Sequence, residues 1–266
     1  MRLPENGVSN SIGNNIMLSI IILAKNEEKN IEIFLKKNFW ADETIVVDND
    51  STDHTADIAK RNRAVVLSIQ GRDFSRLRNE AAIQAKSDWL LYIDIDEEVT
   101  ESLKKEILNT VQTFNKEKNA HAYILKRKNY YLNHLWPFDD GMIRLIYKPS
   151  LINWEGKLHE TAKIDGSIQT LKNALIHKTH RTLEEMVDKT NEWSELEATF
   201  RFQSNHPQIV AWRLFRVMVT GFYDSYIKQH GWKAGTVGVI ESMYQAFSMF
   251  VTYAKLWEMQ EKSSKS

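Results

Sequence analysis

The chain of 266 residues contains no cysteine, which excludes disulfide bonds, thiolate metal sites and a cysteine nucleophile. Only four prolines occur, which argues against proline-rich linkers. The formal net charge is +0, because 35 basic residues balance 35 acidic ones. This balance gives no global electrostatic reason to bind nucleic acid, so we expect no nucleic-acid partner. With 42% hydrophobic residues, the chain can still bury a sizeable core.

Long hydrophobic runs are also missing. No stretch of about 18 apolar residues occurs, so no transmembrane helix is predicted. Residues 1–15 are polar and lack the apolar core of a signal peptide. We therefore expect a disordered extension at 1–16 and a cytoplasmic location.

Short apolar runs alternate with helical patterns through the first half of the chain. The predicted strands are Leu18–Ala24, Thr44–Val47, Ala64–Ile69 and Trp89–Ile93. β-Branched and aliphatic residues dominate these runs, as expected of strands buried on both faces. The alternation predicts an α/β fold in which helices flank a mostly parallel sheet. Two later runs, His121–Lys126 and Met142–Tyr147, predict strands that continue this sheet in mixed orientation.

The pattern changes again near residue 181. From Thr182 onward the spacing predicts helices, and an apolar stripe between Ile240 and Trp257 has helical periodicity. We expect an α/β domain at 17–180, a helical region at 181–260 and a disordered tail at 261–266. Aromatic and basic residues interleave in the helical region, which suits a membrane interface, a second subunit or packing on the α/β domain.

Polar clusters follow three of the predicted strands, at Asn26-Glu27, at Asp48–Asp53 and at Asp94–Glu98. Because parallel strands end at one edge of a sheet, these clusters are expected to meet there, where α/β sheets bind ligands. The third cluster packs four carboxylates into five residues, which repel one another unless a cation lies among them. Mg²⁺ prefers such oxygen ligands and shares them with phosphates. An acidic cap on the helix predicted at Thr100–Thr113 is the alternative.

Several motifs in order resemble glycosyltransferase family 2, whose members have the GT-A fold. The motifs that carry the resemblance are Ser19–Glu28, Val46–Asp53 and Asp94–Glu97. The chain is most similar to the bacterial subgroup of lipopolysaccharide core β-glucosyltransferases, through Phe74-Ser75, Arg78-Asn79, Arg144–Tyr147, His159-Glu160, His177 and Lys189–Ser194. Two departures from the family pattern occur: Asp50 replaces a glycine in the second-strand motif, and Asn49 stands where a carboxylate sometimes contacts the base. Asp tolerates left-handed backbone better than most residues, so we expect the turn to survive.

The resemblance implies an inverting, metal-dependent transfer of a hexose, with glucose the first candidate, from a UDP-sugar to a glycan or lipid-linked acceptor of the cell envelope. It implies a divalent metal, Mg²⁺ or Mn²⁺, bound by Asp96 and Asp94. The implied substrate contacts are Ala24, Asn26, Glu27, Asp48, Asn49, Arg78, Asp94 and His159. Glu160 is the predicted general base, and Glu97 is the rival base. Trp136 is expected to stack on a sugar or to pack in the core.

Each of these roles has a structural alternative. Asp48 and Asp53 could cap a helix, and Arg78 could be a surface arginine. Glu160 could be a structural carboxylate, whereas His159 could be a metal ligand or could orient Glu160. For the whole chain, the alternatives are a nucleotide-sugar-binding protein without activity and a nucleotidyltransferase. The latter class carries a glycine-rich loop after its first strand, and Ala24–Glu28 contains no glycine. The C-terminal helices are expected to contact a second copy of the chain in a homo-oligomer or, as the resemblance favours, the cytoplasmic face of the inner membrane.

Overall fold

A computed structural model describes residues 17–71, 73–156, 160–179 and 182–264. The extension predicted at 1–16 and His159 therefore lie outside the described residues. The first half runs through β1 Leu18–Ala24, α1 Ile31–Lys37, β2 Glu43–Asp48, α2 Thr55–Arg61, β3 Val65–Ser68, α3 Phe74–Gln84, β4 Trp89–Tyr92, β5 Glu97–Glu98 and α4 Glu101–Gln112. The predicted strands differ from these bounds by about one residue.

The second half begins with strands and ends with helices. Its elements are β6 Ala122–Tyr131, β7 His134–Leu135, β8 Asp140–Tyr147, β9 Leu151–Glu155, β10 Thr161–Ile164, β11 Ile168–Lys178, α5 Leu183–Gln203, α6 Ala211–Tyr223 and α7 Gly235–Ser264. The hydroxyl of Thr182 accepts a hydrogen bond from the Glu185 amide and so caps α5 where helix was predicted to begin. Helix α7 continues to Ser264. The prediction of a disordered tail at 261–266 is therefore wrong for residues 261–264.

The described strands form a mixed sheet in the order β3-β2-β1-β4-β8-β6-β11-β5, with β7 paired to β6. Strands β1 to β4 are parallel, whereas β8 runs antiparallel to β4 and to β6. This arrangement confirms the predicted α/β fold and its mixed continuation. A separate hairpin is formed by β9 and β10.

Both faces of the central strands are buried, because alternate side chains enter two different cores. In β4, Trp89 and Leu91 join a core with α1 and α4, whereas Leu90 and Tyr92 join a core with α3 and the β9–β10 hairpin. Because both faces of these strands are buried, their sequences are continuous apolar runs and do not alternate between apolar and polar residues.

Local backbone conformation sets the loops at the sheet edge. Asp50 adopts φ 61°, so the turn expected despite the loss of glycine is confirmed. Leu132 and Asn133 also have positive φ and join β6 to β7 as a tight hairpin. The aromatic segment 130–138 between the two predicted strand runs therefore contains paired strands.

The C-terminal helices pack on one another through α7, which contacts both α5 and α6. The predicted apolar stripe on α7 is only partly inward, because Met243, Phe247 and Trp257 are exposed, whereas Glu241 and Ser242 are buried. Of the helices in the described ranges, none combines the length and the apolar character that crossing a membrane requires.

Candidate active site

A cavity of about 930 Å³ opens beside the carboxyl ends of β1 and β4. Residues from β6, β8 to β11, α3, α5 and α7 also line it. Four of the predicted site residues line it together: Arg78, Asp94, Asp96 and Glu160. The edge at which the sequence predicts that polar clusters meet is therefore a cleft with both acidic and basic groups.

Asp94 lies between two arginines. Arg144 donates hydrogen bonds to both Asp94 oxygens, and Arg78 Nη2 lies 3.4 Å from Asp94 Oδ1. Burial alone would raise the pKa of the Asp94 carboxyl, but the charges of Arg144 and Arg78 outweigh it and hold that pKa well below its ordinary value. Asp94 is therefore ionised at neutral pH, and its charge is already balanced by protein groups.

Glu97 is a buried member of the same network and does not line the cavity. Its Oε1 accepts hydrogen bonds from Arg144 Nη2 at 2.9 Å and from Arg127 Nη1 at 3.3 Å, and its Oε2 accepts one from the Asp94 amide at 2.9 Å. Burial raises the pKa of Glu97, although Arg144 opposes this. Two predictions are corrected here, because a buried, fully engaged carboxylate neither caps α4, whose cap is Thr100, nor reaches an acceptor.

Asp96 faces the cavity beside an imidazole and an ammonium group. His177 Nε2 lies 3.3 Å from Asp96 Oδ2, and Lys189 Nζ lies 3.7 Å from the same oxygen. Burial would raise the pKa of Asp96, but the hydrogen bond and charge of His177 lower it on balance. His177 Nδ1 is 2.7 Å from the Asn129 side-chain oxygen, which suits an N–H at Nδ1 and leaves Nε2 directed at Asp96.

The side-chain oxygen and nitrogen atoms in the cavity could supply part of the coordination shell of a divalent cation. Phosphate oxygens of a substrate and water would supply the rest. Among the described residues, no group of three or more His, Asp or Glu side chains could hold a metal ion. Mg²⁺ bound with a nucleotide often uses one or two carboxylates, and phosphate oxygens and water complete its shell. The Asp96 carboxylate and the His177 imidazole supply a suitable partial set, and Asp94 retains acceptor capacity beside Asp96.

Glu160 is held by Arg78, whose Nε donates to Glu160 Oε1 at 2.7 Å. The guanidinium lies over the rings of Trp154 and Tyr92, with its carbon 5.1 Å and 5.5 Å from their centroids. Arg78 Nη1 is buried and has no hydrogen-bond partner in the described structure. A buried cationic N–H without a partner is costly, so this atom is suited to an anionic ligand in the cleft. The surface-arginine alternative for Arg78 is therefore wrong.

The predicted nucleotide contacts on β1 and β2 lie at the same sheet edge but do not line the cavity. The loops that follow the two strands are tied together, because Asn26 Oδ1 accepts from the Thr52 amide and the Glu27 amide donates to Thr55 Oγ1. Further hydrogen bonds join these loops. The Asn49 amide donates to Ala24 O, the Gly71 amide donates to Asn49 Oδ1, and the Glu28 and Thr55 amides donate to the Asp53 carboxylate. Asp53 thus has the structural role that the sequence left open, whereas buried Asp48 Oδ1 has no partner in the described structure.

Trp136 packs in the interior and does not face the cleft. Its indole is 2% exposed, its N–H donates to Gln229 at 3.2 Å, and its ring packs on Tyr131. A buried ring has no free face for a sugar, so the prediction that Trp136 binds substrate is wrong and the packing alternative is confirmed. The aromatic residues that do line the cavity are Phe74, Trp154 and Trp193.

The sequence did not assign roles to four charged residues that shape the cleft: Arg127, Arg144, His177 and Lys189. The signal for Arg144 was its position inside the apolar run Met142–Tyr147, because an arginine is buried there only if it is paired. His177 and Lys189 come from β11 and α5, far from Asp96 along the chain. Their proximity follows from the fold.

The sheet, its flanking helices and the charged cleft at the strand ends define a glycosyltransferase fold of the GT-A class. The sequence model of "Glycosyl transferase family 2" matches residues 19–155, and the chain belongs to this family. Membership makes the chain a glycosyltransferase and sets aside the nucleotidyltransferase alternative.

Relatives of similar length support this assignment. The chain is 28% identical over 262 residues to an uncharacterized glycosyltransferase of Rickettsia typhi, with 92% of this chain and 88% of the relative covered. It is 24% identical over 255 residues to LpsC, a lipopolysaccharide core biosynthesis glycosyltransferase of Rhizobium meliloti, with coverage of 91% and 92%. The resemblance to the lipopolysaccharide core subgroup is therefore confirmed, at low identity.

Two solved structures align with parts of the chain at low scores. S. aureus TarS 1-349 in complex with UDP-GlcNAc aligns with 93% of this chain and 92% of its own, at 15% identity and a TM-score of 0.48. Glucosyl-3-phosphoglycerate synthase from Mycobacterium tuberculosis, in complex with Mn²⁺, UDP-glucose and phosphoglyceric acid, aligns with 44% of each chain, at 22% identity and a TM-score of 0.32.

Proposed function

We propose that this protein is an inverting, metal-dependent glycosyltransferase that moves a hexose, with glucose the first candidate, from a UDP-sugar to a glycan or lipid-linked acceptor in cell-envelope polysaccharide synthesis. The observation that supports this most directly is one cavity in which Glu160 is held by Arg78 beside Asp94 and Asp96. Such a cavity offers a base for an acceptor hydroxyl and cationic groups for a diphosphate.

Glu160 acts in this proposal as the general base that takes the proton from the acceptor hydroxyl. A sugar hydroxyl is a weak nucleophile while protonated, so the base must lie within hydrogen-bond reach of it. A single displacement at the anomeric carbon inverts the configuration and needs one base. Arg78 orients Glu160 through Nε and offers Nη1 to a diphosphate oxygen.

Asp96 and His177 would hold Mg²⁺ or Mn²⁺, with Asp94 adjacent. When bound, the cation offsets the charge that develops on the leaving diphosphate. Lys189 adds a further positive charge on the same side of the cleft. The resemblance to the family supports Asp48 as a contact to the nucleoside, and Ala24, Asn26, Glu27 and Asn49 as the neighbouring loop wall. The proposal retains the predicted role of His159, as a metal ligand or as the group that orients Glu160.

The cation requirement leads to a prediction for Asp96→Ala. We expect UDP with Mn²⁺ to raise the melting temperature of the wild type by about 5–10 °C at ligand concentrations near 100 times the dissociation constant, since such binding contributes ~2.7 kcal/mol. The variant should lose the part of this shift that depends on Mn²⁺, because its main oxygen donor is gone. Thermal-shift measurements with UDP, with Mn²⁺ and with both check this.

Asp57→Ala is the matched control, because Asp57 is exposed on α2 and distant in sequence from the cavity residues. It should keep the full shift. A Mn²⁺-dependent shift that survives Asp96→Ala would move the cation site elsewhere, and a wild type indifferent to Mn²⁺ would contradict metal dependence.

The surface of α6 and of the short segment Gly231–Ala234 before α7 supports peripheral contact with an anionic lipid surface. Phe215 is 72% exposed, and Trp212 and Trp232 are also exposed. Basic side chains lie against these rings: Arg216 is 5.3 Å from the Trp212 centroid and Lys233 is 5.3 Å from that of Trp232. Exposed aromatic side chains flanked by cations match an interface with anionic headgroups, where an acceptor attached to a lipid would be found.

We expect the protein to pellet with phosphatidylglycerol vesicles at low salt and to be released at high salt. The double variant Arg216→Gln/Lys233→Gln should bind about 30-fold more weakly, since each cation near an anionic surface contributes ~1 kcal/mol. Lys60→Gln/Arg61→Gln, on exposed positions of α2, is the control and should bind as the wild type does. Failure to pellet, together with a dimer in sedimentation velocity, would assign this surface to a second copy of the chain.

A further inference from the structure

We propose that Trp193 is the platform on which a pyranose ring of the acceptor stacks, so that helix α5 forms the acceptor side of the cleft. This proposal rests on the glycosyltransferase function proposed above and adds the location and chemistry of its acceptor site. It replaces the aromatic contact that the sequence assigned to Trp136.

Trp193 is the exposed aromatic side chain in the cavity wall. Its indole is 48% exposed, although one side of it stacks on Phe74, with centroids 5.6 Å apart and planes 24° from parallel. Both rings line the cavity that contains Glu160. An aromatic ring presents a negative face, against which the weakly positive C–H groups of a sugar ring pack.

The position of this aromatic pair relative to the chemistry follows from two helices. On α3, Phe74 precedes Arg78 by four residues, and Arg78 bonds Glu160. On α5, Trp193 follows Lys189 by four residues, and Lys189 lies 3.7 Å from Asp96. Four residues correspond to about 6 Å along a helix, so the aromatic pair lies about one turn from both the base and the cation side. A ring stacked there can bring a hydroxyl to Glu160.

The order of charges along α5 favours a sugar over a diphosphate at this point. Lys189 lies 3.7 Å from Asp96. Trp193, one turn later on α5, and Glu197, a further turn away, both line the cavity. Gln245 of α7 also lines it. Glu197 Oε1 is paired with Arg201, and Gln245 Nε2 donates to Glu241, which leaves Glu197 Oε2 and Gln245 Oε1 to accept hydrogen bonds from sugar hydroxyls. The cationic end therefore suits the donor diphosphate, and the Trp193 end suits a neutral polyhydroxyl ring.

The test compares the wild type with Trp193→Ala, Trp193→Phe and the control Trp257→Ala, whose tryptophan is exposed on α7 and does not line the cavity. Saturation-transfer NMR with methyl α-D-glucopyranoside, methyl α-D-mannopyranoside and methyl α-D-galactopyranoside, in the presence of UDP and Mn²⁺, measures contact with ring protons. The wild type should saturate the ring protons of at least one pyranoside. Trp193→Ala should bind that sugar about tenfold more weakly, and Trp193→Phe and Trp257→Ala should retain binding.

A thermal shift with UDP and Mn²⁺ is measured on the same samples. It should be equal in the wild type and Trp193→Ala, because the platform takes the acceptor and not the nucleotide. Loss of this shift in Trp193→Ala would overturn the proposal, since the pair would then hold the nucleobase. Unchanged saturation transfer in Trp193→Ala, or none to any pyranoside in the wild type, would overturn it as well. Absence of a UDP–Mn²⁺ shift in the wild type would instead count against the proposed function, and is therefore a separate outcome.

Discussion

Glu160→Gln is expected to bind UDP-sugar as the wild type does and to transfer sugar about 10²- to 10⁴-fold more slowly, the usual contribution of a general base. The glutamine retains the oxygen that accepts from Arg78 Nε, so the guanidinium keeps its position. What the amide lacks is the capacity to take a proton. The loss should therefore appear in turnover and not in donor affinity.

Two measurements separate these effects. Release of UDP in the presence of acceptor reports turnover, and a thermal shift with UDP-sugar and Mn²⁺ reports donor binding. Glu155→Gln is a matched control, because Glu155 is a nearby exposed carboxylate that pairs with Lys163 at 2.8 Å. Its turnover should equal that of the wild type. Normal turnover in Glu160→Gln would remove Glu160 from the mechanism, and a wild type that binds donor without transferring sugar would favour the non-catalytic alternative.

Arg144→Met is expected to lower the free energy of unfolding by about 3–5 kcal/mol, the cost of breaking a buried ion pair from one side. Arg144 lies in the interior and bonds both Asp94 and Glu97. Methionine has a similar length but no charge, so two carboxylates would remain near each other with less compensation. Urea denaturation followed by circular dichroism measures the change.

Arg61→Met is the control, because Arg61 is exposed on α2, where a substitution typically changes stability by less than about 0.5 kcal/mol. A second comparison uses Glu97→Gln, which removes one of the two carboxylates. If Arg144 acts through this network, the double variant should be more stable than the sum of the single effects predicts, by about 0.5–3 kcal/mol. Strict additivity, or a loss in Arg144→Met no larger than that of the control, would contradict this account of the network.

The network also explains why burying so much charge is tolerated beside a substrate cleft. Arg127 and Arg144 satisfy Glu97, and Arg144 and Arg78 satisfy Asp94. The Asp94 carboxylate is thereby ionised and fixed in orientation before any ligand arrives. A site whose groups are already oriented loses less free energy on reorganisation when charge develops in the transition state.

The sequence by itself determined the strands and helices of the α/β half, the mixed continuation of the sheet and the family. The strand pattern placed Asp94 and Asp96 at the sheet edge, whereas Arg78 and Glu160 were grouped with them through the resemblance to the family; all four line one cavity. The strands, helices and sheet-edge positions were accessible because they depend on local patterns: apolar runs, helical spacing, and polar residues placed where parallel strands end. The turn at Asp50 could be expected for the same reason, since it depends on the conformational range of a single residue.

Only the tertiary structure decided how the remaining charges and aromatic rings are divided between core and cleft. Glu97 and Asp96 are adjacent in sequence, yet one is buried against two arginines and the other faces the cavity beside His177. Trp136 and Trp193 are both tryptophans, yet the first packs on Tyr131 and the second borders the cleft. Residue type does not distinguish these cases, because burial and charge pairing depend on which distant segments fold against each side chain.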